Sequence, residues 1–223
     1  EKEKAEKMKV GTCLNPLHTA LAVYGCLLGY TSIAAEMGDA DLKALVEHIA
    51  AESLPVVEDP GILSPRAFID EVLHERFPNP AIPDTPQRIA ADTSQKLPVR
   101  YGGTLRRYAR QSEQALAGLE FAPLVFAGWC RYLLGVDDRG NAMPVSPDPM
   151  LPQLQAHLKG IEVGRPDSLA GQLRPILSNA ALFGVDLYAA GLGERTEEMF
   201  RDMLAGPGAV RATLHRNCAC KQP

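Results

Sequence analysis

Residues 14–35 read LNPLHTALAVYGCLLGYTSIAA and contain no Asp, Glu, Lys or Arg. An uncharged run of this length fits either a membrane span, which needs about 20 predominantly apolar residues, or a buried helix. Polar residues interrupt it at Asn15, His18 and Thr31, and polar groups are costly in lipid. We therefore expect a buried helix over about residues 17–37 and no membrane span. This helix is the predicted centre of the fold.

The residue types also predict how this helix begins and packs. Pro16 suits the first helical position, so Asn15 is expected to be the N-cap. His18 then lies in the first turn. Gly25 and Gly29 are four residues apart, on one face of the helix, where the lack of side chains allows another helix to approach closely.

Helical periodicity is found along most of the remaining chain. In residues 41–51 apolar residues recur at i, i+3, i+4 and i+7, the stripe of an amphipathic helix, with Asp39 or Asp41 as its cap. Other helix starts are expected at Ser64-Pro65, at Asp84 or Thr85 before Pro86, and at Asp92 with Gln95 as a capping box. The last of these is expected to continue toward Gly118, and further helices are expected at about 121–135, 150–159, 168–183, 194–205 and 207–216. Strand-like alternation is weak, so the predicted fold class is mainly α, a multi-helical single domain around a buried central helix.

Composition excludes several classes of protein. The chain has 223 residues, a formal net charge of −4 and 46% hydrophobic residues, which is typical of a globular domain and not of one driven onto nucleic acid by charge. Five cysteines, an odd number, without a secretory signal favour a reducing cytoplasm. The first residue is Glu1, so either the start is processed or the chain is a piece of a longer protein.

Common catalytic and cofactor motifs are missing from the sequence. It contains no G-x-G-x-x-G, P-loop, H-E-x-x-H, C-x-x-C or G-x-S-x-G. His215, Cys218 and Cys220 fall short of a zinc site, which takes four ligands, so no metal is expected. Cys13 is interpreted as a small packing residue and Trp129 as a core residue.

The residues Lys9, Asn15 and His18 place a candidate base, an amide and an imidazole beside the uncharged helix. From spacing alone, an ordinary helix cap and a structural histidine are the favoured interpretation. Arg88 and Lys96 are likewise explained by surface ion pairs at i, i+4 with neighbouring aspartates, which contribute little to stability.

Two stretches in order carry a resemblance. MKVGTCLNPLHTALAVYGCLLGY (residues 8–30) resembles the start of the C-terminal domain of the mannitol dehydrogenase family, the long-chain, metal-independent polyol dehydrogenases and hexuronate reductases. NPAIPDTPQRIAADTSQKLPVR (residues 79–100) resembles the family's second signature, in which an Arg and a Lys eight residues apart face the substrate. The similarity extends over most of residues 8–205.

The resemblance implies roles for five residues. Lys9 would be the catalytic base, Asn15 and His18 would hold the reacting oxygen or a neighbouring hydroxyl, and Arg88 and Lys96 would bind the substrate. The sequence departs from the family in one respect that concerns the base. Lys9 lies six residues before Asn15 where familiar members have five, and Lys7 lies eight before it, so both lysines are candidates.

The resemblance also implies the organisation of the protein. Residues 1–8 would be a charged lead-in from an N-terminal Rossmann domain that binds NAD or NADP, with no cofactor-binding residue in this chain. Residues 9–216 would be the helical substrate and catalytic domain, and residues 217–223 a C-terminal tail. The expected partners are a polyol or hexuronate and that Rossmann domain, with neither nucleic acid nor membrane.

Two other functions stay open at this point. The departures from the motif and the missing nucleotide site also fit a non-catalytic helical dimerisation or regulatory module that retains the fold. A third possibility is another dehydrogenase with an all-α C-terminal domain, such as a 3-hydroxyacid type.

Overall fold

A computed structural model describes residues 1–219 of the chain. Residues 2–28 form one continuous helix with a change of register in the middle. The helix begins as α1 (Lys2–Glu6), passes through a π-helical segment (Lys7–Leu14) and continues as α2 (Asn15–Leu28). Ala5 and Met8 are buried, so the charged lead-in belongs to the same packed unit as the rest of this helix.

The remaining helices follow in chain order. They are α3 (Ile33–Glu36), α4 (Ala40–Ser53), α5 (Pro65–Glu71) with a π segment after it (Val72–Arg76), α6 (Pro86–Ile89), α7 (Thr93–Arg100), α8 (Gly102–Gln111), α9 (Glu113–Ala117), α10 (Phe121–Tyr132), α11 (Leu151–His157), α12 (Arg174–Leu177), α13 (Ala180–Phe183), α14 (Gly193–Met203) and α15 (Ala209–Ala219). Short 3₁₀ turns lie at Leu54–Val56 and Pro166–Ser168. The β structure within residues 1–219 consists of two isolated bridges. The prediction of a mainly α domain is confirmed.

The core is built around α2 and α10. α2 packs against α4, α6 and α10, and α10 also packs against α14. Tyr24 of α2 donates a hydrogen bond to the Leu124 carbonyl at 2.6 Å, and its ring lies where a Cβ on Gly128 would be. Trp129 is fully buried, as expected. A central buried helix is therefore confirmed, with α10 as a second one beside it.

The predicted extent of the central helix is wrong at both ends. Asn15 has helical dihedral angles and is not an N-cap, because the preceding residues stay helical. At the other end, Gly29 takes the left-handed conformation (φ 85°) that glycine adopts at low cost, so α2 stops at Leu28 and a new helix, capped by Ser32, begins at Ile33.

Pro16 explains why the helix changes register before it. In an α-helix the proline ring clashes with the carbonyl four residues earlier. The i→i+5 bonds of a π segment widen the turn and carry that carbonyl away from the ring. The helix can therefore continue through Pro16.

The predicted helix starts are confirmed, and the capping box expected at Asp92 is wrong although α7 does begin directly after it. Asp39, Ser64 and Thr85 accept hydrogen bonds from the first turns of α4, α5 and α6. Asp92 is not a capping-box residue, because its backbone is left-handed (φ 58°) and its side chain makes no cap bond. The helix expected to reach Gly118 is divided into α7, α8 and α9, with Ser112 capping the last.

The predicted helix over 168–183 is also divided, into α12 and α13, where Asn179 caps the second piece. At the C-terminus α15 extends to Ala219 and Cys218 is buried. His215 pairs with Asp41, while Cys220 lies outside the described residues. Residues 1–219 hold no group of three or more His, Cys, Asp or Glu arranged for a metal ion, and none of their helices is long and apolar enough to cross a membrane.

Candidate active site

The π segment determines where Lys9 stands relative to Asn15. A turn closed by i→i+5 bonds holds about one residue more than an α turn. Six residues of the wider helix therefore cover nearly the same rotation as five residues of an α-helix. The extra residue between Lys9 and Asn15 is absorbed in this way, and Lys9 takes the angular position that a spacing of five gives in a regular helix.

Lys9 and Lys7 face different surroundings. The Lys9 Nζ lies 5.8 Å from the centroid of the Phe68 ring and 4.0 Å from the Glu6 carboxylate. Arg76 lies near the same ring, with its Cζ 5.2 Å from the Phe68 ring centroid. Lys7 instead lines a cleft of about 440 Å³ between the π segment and α8, together with Arg107.

His18 lies at the wall of a second cavity, of about 220 Å³. The cavity is also lined by Leu14, Ile33, Ala34, Arg76, Phe77, Asn79, Ile82 and Asp84. The imidazole stacks on Phe77, with 5.3 Å between ring centroids and 20° between planes. Arg76 connects Lys9 with this cavity through Phe68, and Arg100 connects the cleft of Lys7 with Thr19, the neighbour of His18. Neither lysine lines the His18 cavity itself.

The ionisation of His18 is set by burial and by surrounding charges. Burial lowers the pKa of His18 to about 4, with Asp84 acting to raise it and Arg100, Lys96 and Arg88 acting to lower it further. The imidazole is therefore neutral near pH 7 and has one N–H and one acceptor nitrogen. The 3.5 Å distance between the His18 Nε2 and the Asp84 Oδ2 shows that the structure brings the two signature stretches together.

Arg88 and Lys96 have different immediate partners. Arg88 contacts the Asp84 carboxylate, which realises one of the predicted i, i+4 pairs, and its side chain remains 69% exposed. Lys96 donates a hydrogen bond of 2.9 Å to the Ile89 carbonyl. Burial, followed by Arg100, lowers the pKa of the Lys96 amine. Asn15 is half-buried, one turn before His18 on the same helix.

Two residues around His18 were not predicted as site residues. Asp84 was expected as a helix cap, yet Thr85 takes that role and the Asp84 Oδ2 lies 3.5 Å from the His18 Nε2. Arg100 donates a hydrogen bond to the Thr19 hydroxyl, one residue after His18. The sequence contained a signal for Arg100, since it lies one turn after Lys96 on α7, but its contact with α2 depends on tertiary packing.

The arrangement suits chemistry on a small hydroxylated or anionic molecule. A neutral imidazole faces Asp84 at the wall of the cavity, and the positive charges of Arg100, Lys96 and Arg88 act on it. Cationic donors placed in this way stabilise negative charge that develops on an oxygen.

Comparison with known proteins agrees with this geometry. The family model described as the mannitol dehydrogenase C-terminal domain matches residues 3–198. The D-mannonate oxidoreductase of Thermotoga maritima is 56% identical over 212 residues, which is 95% of this chain and 39% of that protein. The mannitol 2-dehydrogenase of Emericella nidulans is 36% identical over 194 residues, covering 83% of this chain and 34% of that protein.

A solved structure shares the fold over the whole chain. The Pseudomonas fluorescens mannitol 2-dehydrogenase, in a ternary complex with NAD and D-mannitol, superposes with a TM-score of 0.78 at 28% identity, covering 100% of this chain and 42% of that one. The chain thus spans about two fifths of the length of these relatives. With a family model matching most of its residues and two ordered signatures meeting at His18, the chain belongs to the mannitol dehydrogenase family and represents its C-terminal domain.

Proposed function

We propose that this chain is the substrate-binding and catalytic domain of a metal-independent, NAD(P)-dependent oxidoreductase. The reaction interconverts a polyol or aldonate and the corresponding ketose or keto-uronate. The observation that supports it most is the 3.5 Å approach of His18 to Asp84, whose carboxylate also contacts Arg88, because His18 and Arg88 belong to two family signatures about 70 positions apart in the sequence.

In this proposal Lys9 is the general base and Lys7 is not. In the oxidation direction the Lys9 amine takes the proton of the hydroxyl whose carbon gives up a hydride. In the reduction direction the ammonium returns that proton to the oxygen. The Lys9 side chain is 34% exposed and shares the Phe68 ring with Arg76, which lines the His18 cavity, so the proposal places Lys9 beside a bound substrate.

The remaining site residues bind and orient the substrate. The Asn15 amide donates a hydrogen bond to the reacting oxygen. Lys96 has three N–H donors, of which the Ile89 carbonyl uses one, and Arg88 has donors beyond those that face Asp84. Both therefore have donors for hydroxyl groups or for a carboxylate, which a guanidinium binds well in a bidentate manner.

The hydride acceptor is proposed to be NAD or NADP, held by a nucleotide-binding domain outside this chain. A nicotinamide supplies the hydride chemistry when bound. The chain's own part is to hold the substrate and to move the proton at Lys9. This division fits the share of the relatives' length that the chain covers.

Between the two substrate classes, the charges favour an anion. Arg88, Lys96 and Arg100 all act on His18, against the single carboxylate of Asp84. The Thermotoga relative is named for a substrate that carries a carboxylate. We therefore place keto-uronates before neutral ketoses as substrates.

The proposal is tested with the protein that joins this chain to its nucleotide-binding domain. Purified protein is assayed for oxidation of NADH and NADPH with fructuronate, tagaturonate and fructose, and for the reverse reaction with mannitol. We expect turnover that is highest with a keto-uronate. Lys9→Ala should lower kcat by about 10²-fold or more, which is the usual contribution of general acid–base catalysis.

Lys7→Ala is the matched control. It removes a lysine from the same π segment and should leave kcat close to that of the wild type, because the proposal gives Lys7 no contact with the substrate. Unchanged turnover in Lys9→Ala would remove Lys9 as the base. Residues 1–223 alone should fold but should not turn over substrate. Dehydrogenase activity of this chain by itself would contradict the proposal that a separate domain binds the nucleotide. No turnover with any of these substrates would instead favour a non-catalytic module.

We also propose a cytoplasmic location. Four of the five cysteines, Cys13, Cys26, Cys130 and Cys218, are buried free thiols, which suits a reducing compartment.

A further inference from the structure

The imidazole of His18 has one nitrogen that faces a carboxylate. Its Nε2 is buried, makes no hydrogen bond within the described part of the chain, and lies 3.5 Å from the Asp84 Oδ2. The whole side chain is 18% exposed, so the exposed portion belongs to other atoms of the side chain. Nε2 is therefore turned away from solvent and toward Asp84.

Asp84 is itself held in place from three directions. Its Oδ1 contacts the Arg88 guanidinium, which leaves Oδ2 toward His18. Its carbonyl accepts a hydrogen bond from the Ile33 N–H at 3.1 Å, and its own N–H donates to the Ile82 carbonyl at 2.9 Å. The carboxylate is thus a fixed acceptor beside the imidazole.

The His18 ring has little freedom to turn away from this carboxylate. It stacks on Phe77 within 20° of parallel. A carboxylate accepts hydrogen bonds and cannot donate them when ionised. A neutral imidazole beside it is most stable with its proton on the nitrogen that faces the carboxylate, which fixes the tautomer.

We propose that Asp84 is a positioning residue that holds His18 as the Nε2–H tautomer, leaving Nδ1 to accept a hydrogen bond from a substrate hydroxyl; the part concerning substrate rests on the proposed function. An acceptor nitrogen cannot bind the carbonyl oxygen of a ketose or keto-uronate, which has no proton to give. His18 therefore recognises a hydroxyl next to the reacting carbon, and the reacting oxygen belongs to Lys9 and Asn15.

The tautomer can be measured in the 223-residue chain without any catalysis. Imidazole nitrogens with and without a proton have well separated ¹⁵N chemical shifts. In two-bond ¹H–¹⁵N spectra at pH 7 we expect His18 to show protonated Nε2 and unprotonated Nδ1. Asp84→Asn, whose amide can also donate, should give a mixture of tautomers, and Asp84→Glu should restore the original pattern.

Asp70→Asn is the matched control, since it makes the same change at an exposed position of α5 and should leave the His18 signals unchanged. Two results would overturn the proposal. One is a wild-type His18 with its proton on Nδ1, and the other is an Asp84→Asn spectrum identical to the wild type. The wild-type spectrum decides the first even if the variant does not fold.

Kinetics of the complete enzyme provide a second measurement. Loss of one neutral hydrogen bond to a substrate hydroxyl lowers binding by up to about tenfold. We expect Asp84→Asn to lower kcat/KM by up to about tenfold, mainly through KM for substrates that carry the neighbouring hydroxyl, and Asp84→Glu to recover most of it. An inactive wild-type enzyme would refute the proposed function and leave the tautomer result standing on its own.

Discussion

Glu36 is a fully buried carboxyl group at the contact between α2 and α3. Neither of its oxygens has a hydrogen-bond partner among the described residues. A Cβ on Gly25 would lie 2.6 Å from the carboxyl atoms, so the missing side chain makes room for Glu36 where α3 packs on α2. Burial, with a smaller contribution from Asp39, raises the pKa of Glu36 to about 9. The group is therefore protonated and neutral at pH 7.

This burial makes the stability of the domain depend on pH. Between the unfolded pKa of 4.5 and the folded value of about 9, the folded state holds a proton that the unfolded state releases. The contribution of the protonated group is fully present below the unfolded pKa and is lost as the pH rises through about 9. The slope from one such group is at most about 1.4 kcal/mol per pH unit.

Glu36→Gln should flatten this dependence, because an amide does not titrate. The free energy of unfolding, from urea titrations between pH 5 and pH 9, should fall less steeply for the variant than for the wild type. Glu198→Gln, at an exposed position of α14, is the control and should keep the wild-type slope. Equal slopes for wild type and Glu36→Gln would show that the carboxyl group is already ionised in the folded protein.

At the scale of secondary structure, the π segment joins the charged start of the chain to the buried helix. Gly11 lies in this segment, and a side chain added there would meet open space. The segment therefore has room to change its winding. An α-helix, in contrast, turns by about 100° per residue, so a residue lost from α2 rotates everything before it out of register.

Deletion of Gly11 should therefore be tolerated. Without Gly11 the segment can rewind to i→i+4 bonds, which places Lys9 five residues before the asparagine amide. The clash at Pro16 then returns and kinks the helix at a cost of about 3 kcal/mol, so the variant should be less stable than the wild type but still folded. We expect a folded domain by circular dichroism and a complete enzyme that retains most of its kcat. Deletion of Ala22, a fully buried residue of α2, is the control and should prevent folding. Loss of folding on deletion of Gly11 would show that the π register is required.

At the scale of the whole molecule, the last helix is tied to the fourth. Arg211 of α15 donates to both oxygens of Asp39, at 2.7 and 2.8 Å, and to Asp41 at 3.1 Å. Burial tends to raise the pKa of Asp39, but hydrogen bonds from Arg211, Tyr30 and the Leu42 N–H outweigh it and lower the pKa to about 2. These contacts join residues that are about 170 positions apart.

Arg211→Met should lower the free energy of unfolding by about 1–3 kcal/mol at pH 7, since it leaves a nearly buried carboxylate without its charged donor. The stabilisation from Asp39 is present above its unfolded pKa of 3.8 and is lost as the pH falls toward 2, so the variant and the wild type should converge in acid. Arg216→Met, which breaks an exposed pair on the same helix, is the control and should cost less than about 1 kcal/mol. Equal losses from the two variants would mean that the Asp39 contact adds nothing beyond a surface pair.

The sequence by itself determined the fold class, the family and the presence of a central buried helix. These depend on local patterns: an uncharged run, apolar stripes, and caps such as Asp39, Ser64 and Thr85 whose hydrogen bonds are made within a few residues. The tertiary structure decided the continuous helix through Asn15 and Pro16, the division of the helices after Asp92, and the pairing of Asp84 with His18. Those features depend on packing energies and on charges brought together from distant parts of the chain, which neighbouring residues do not encode.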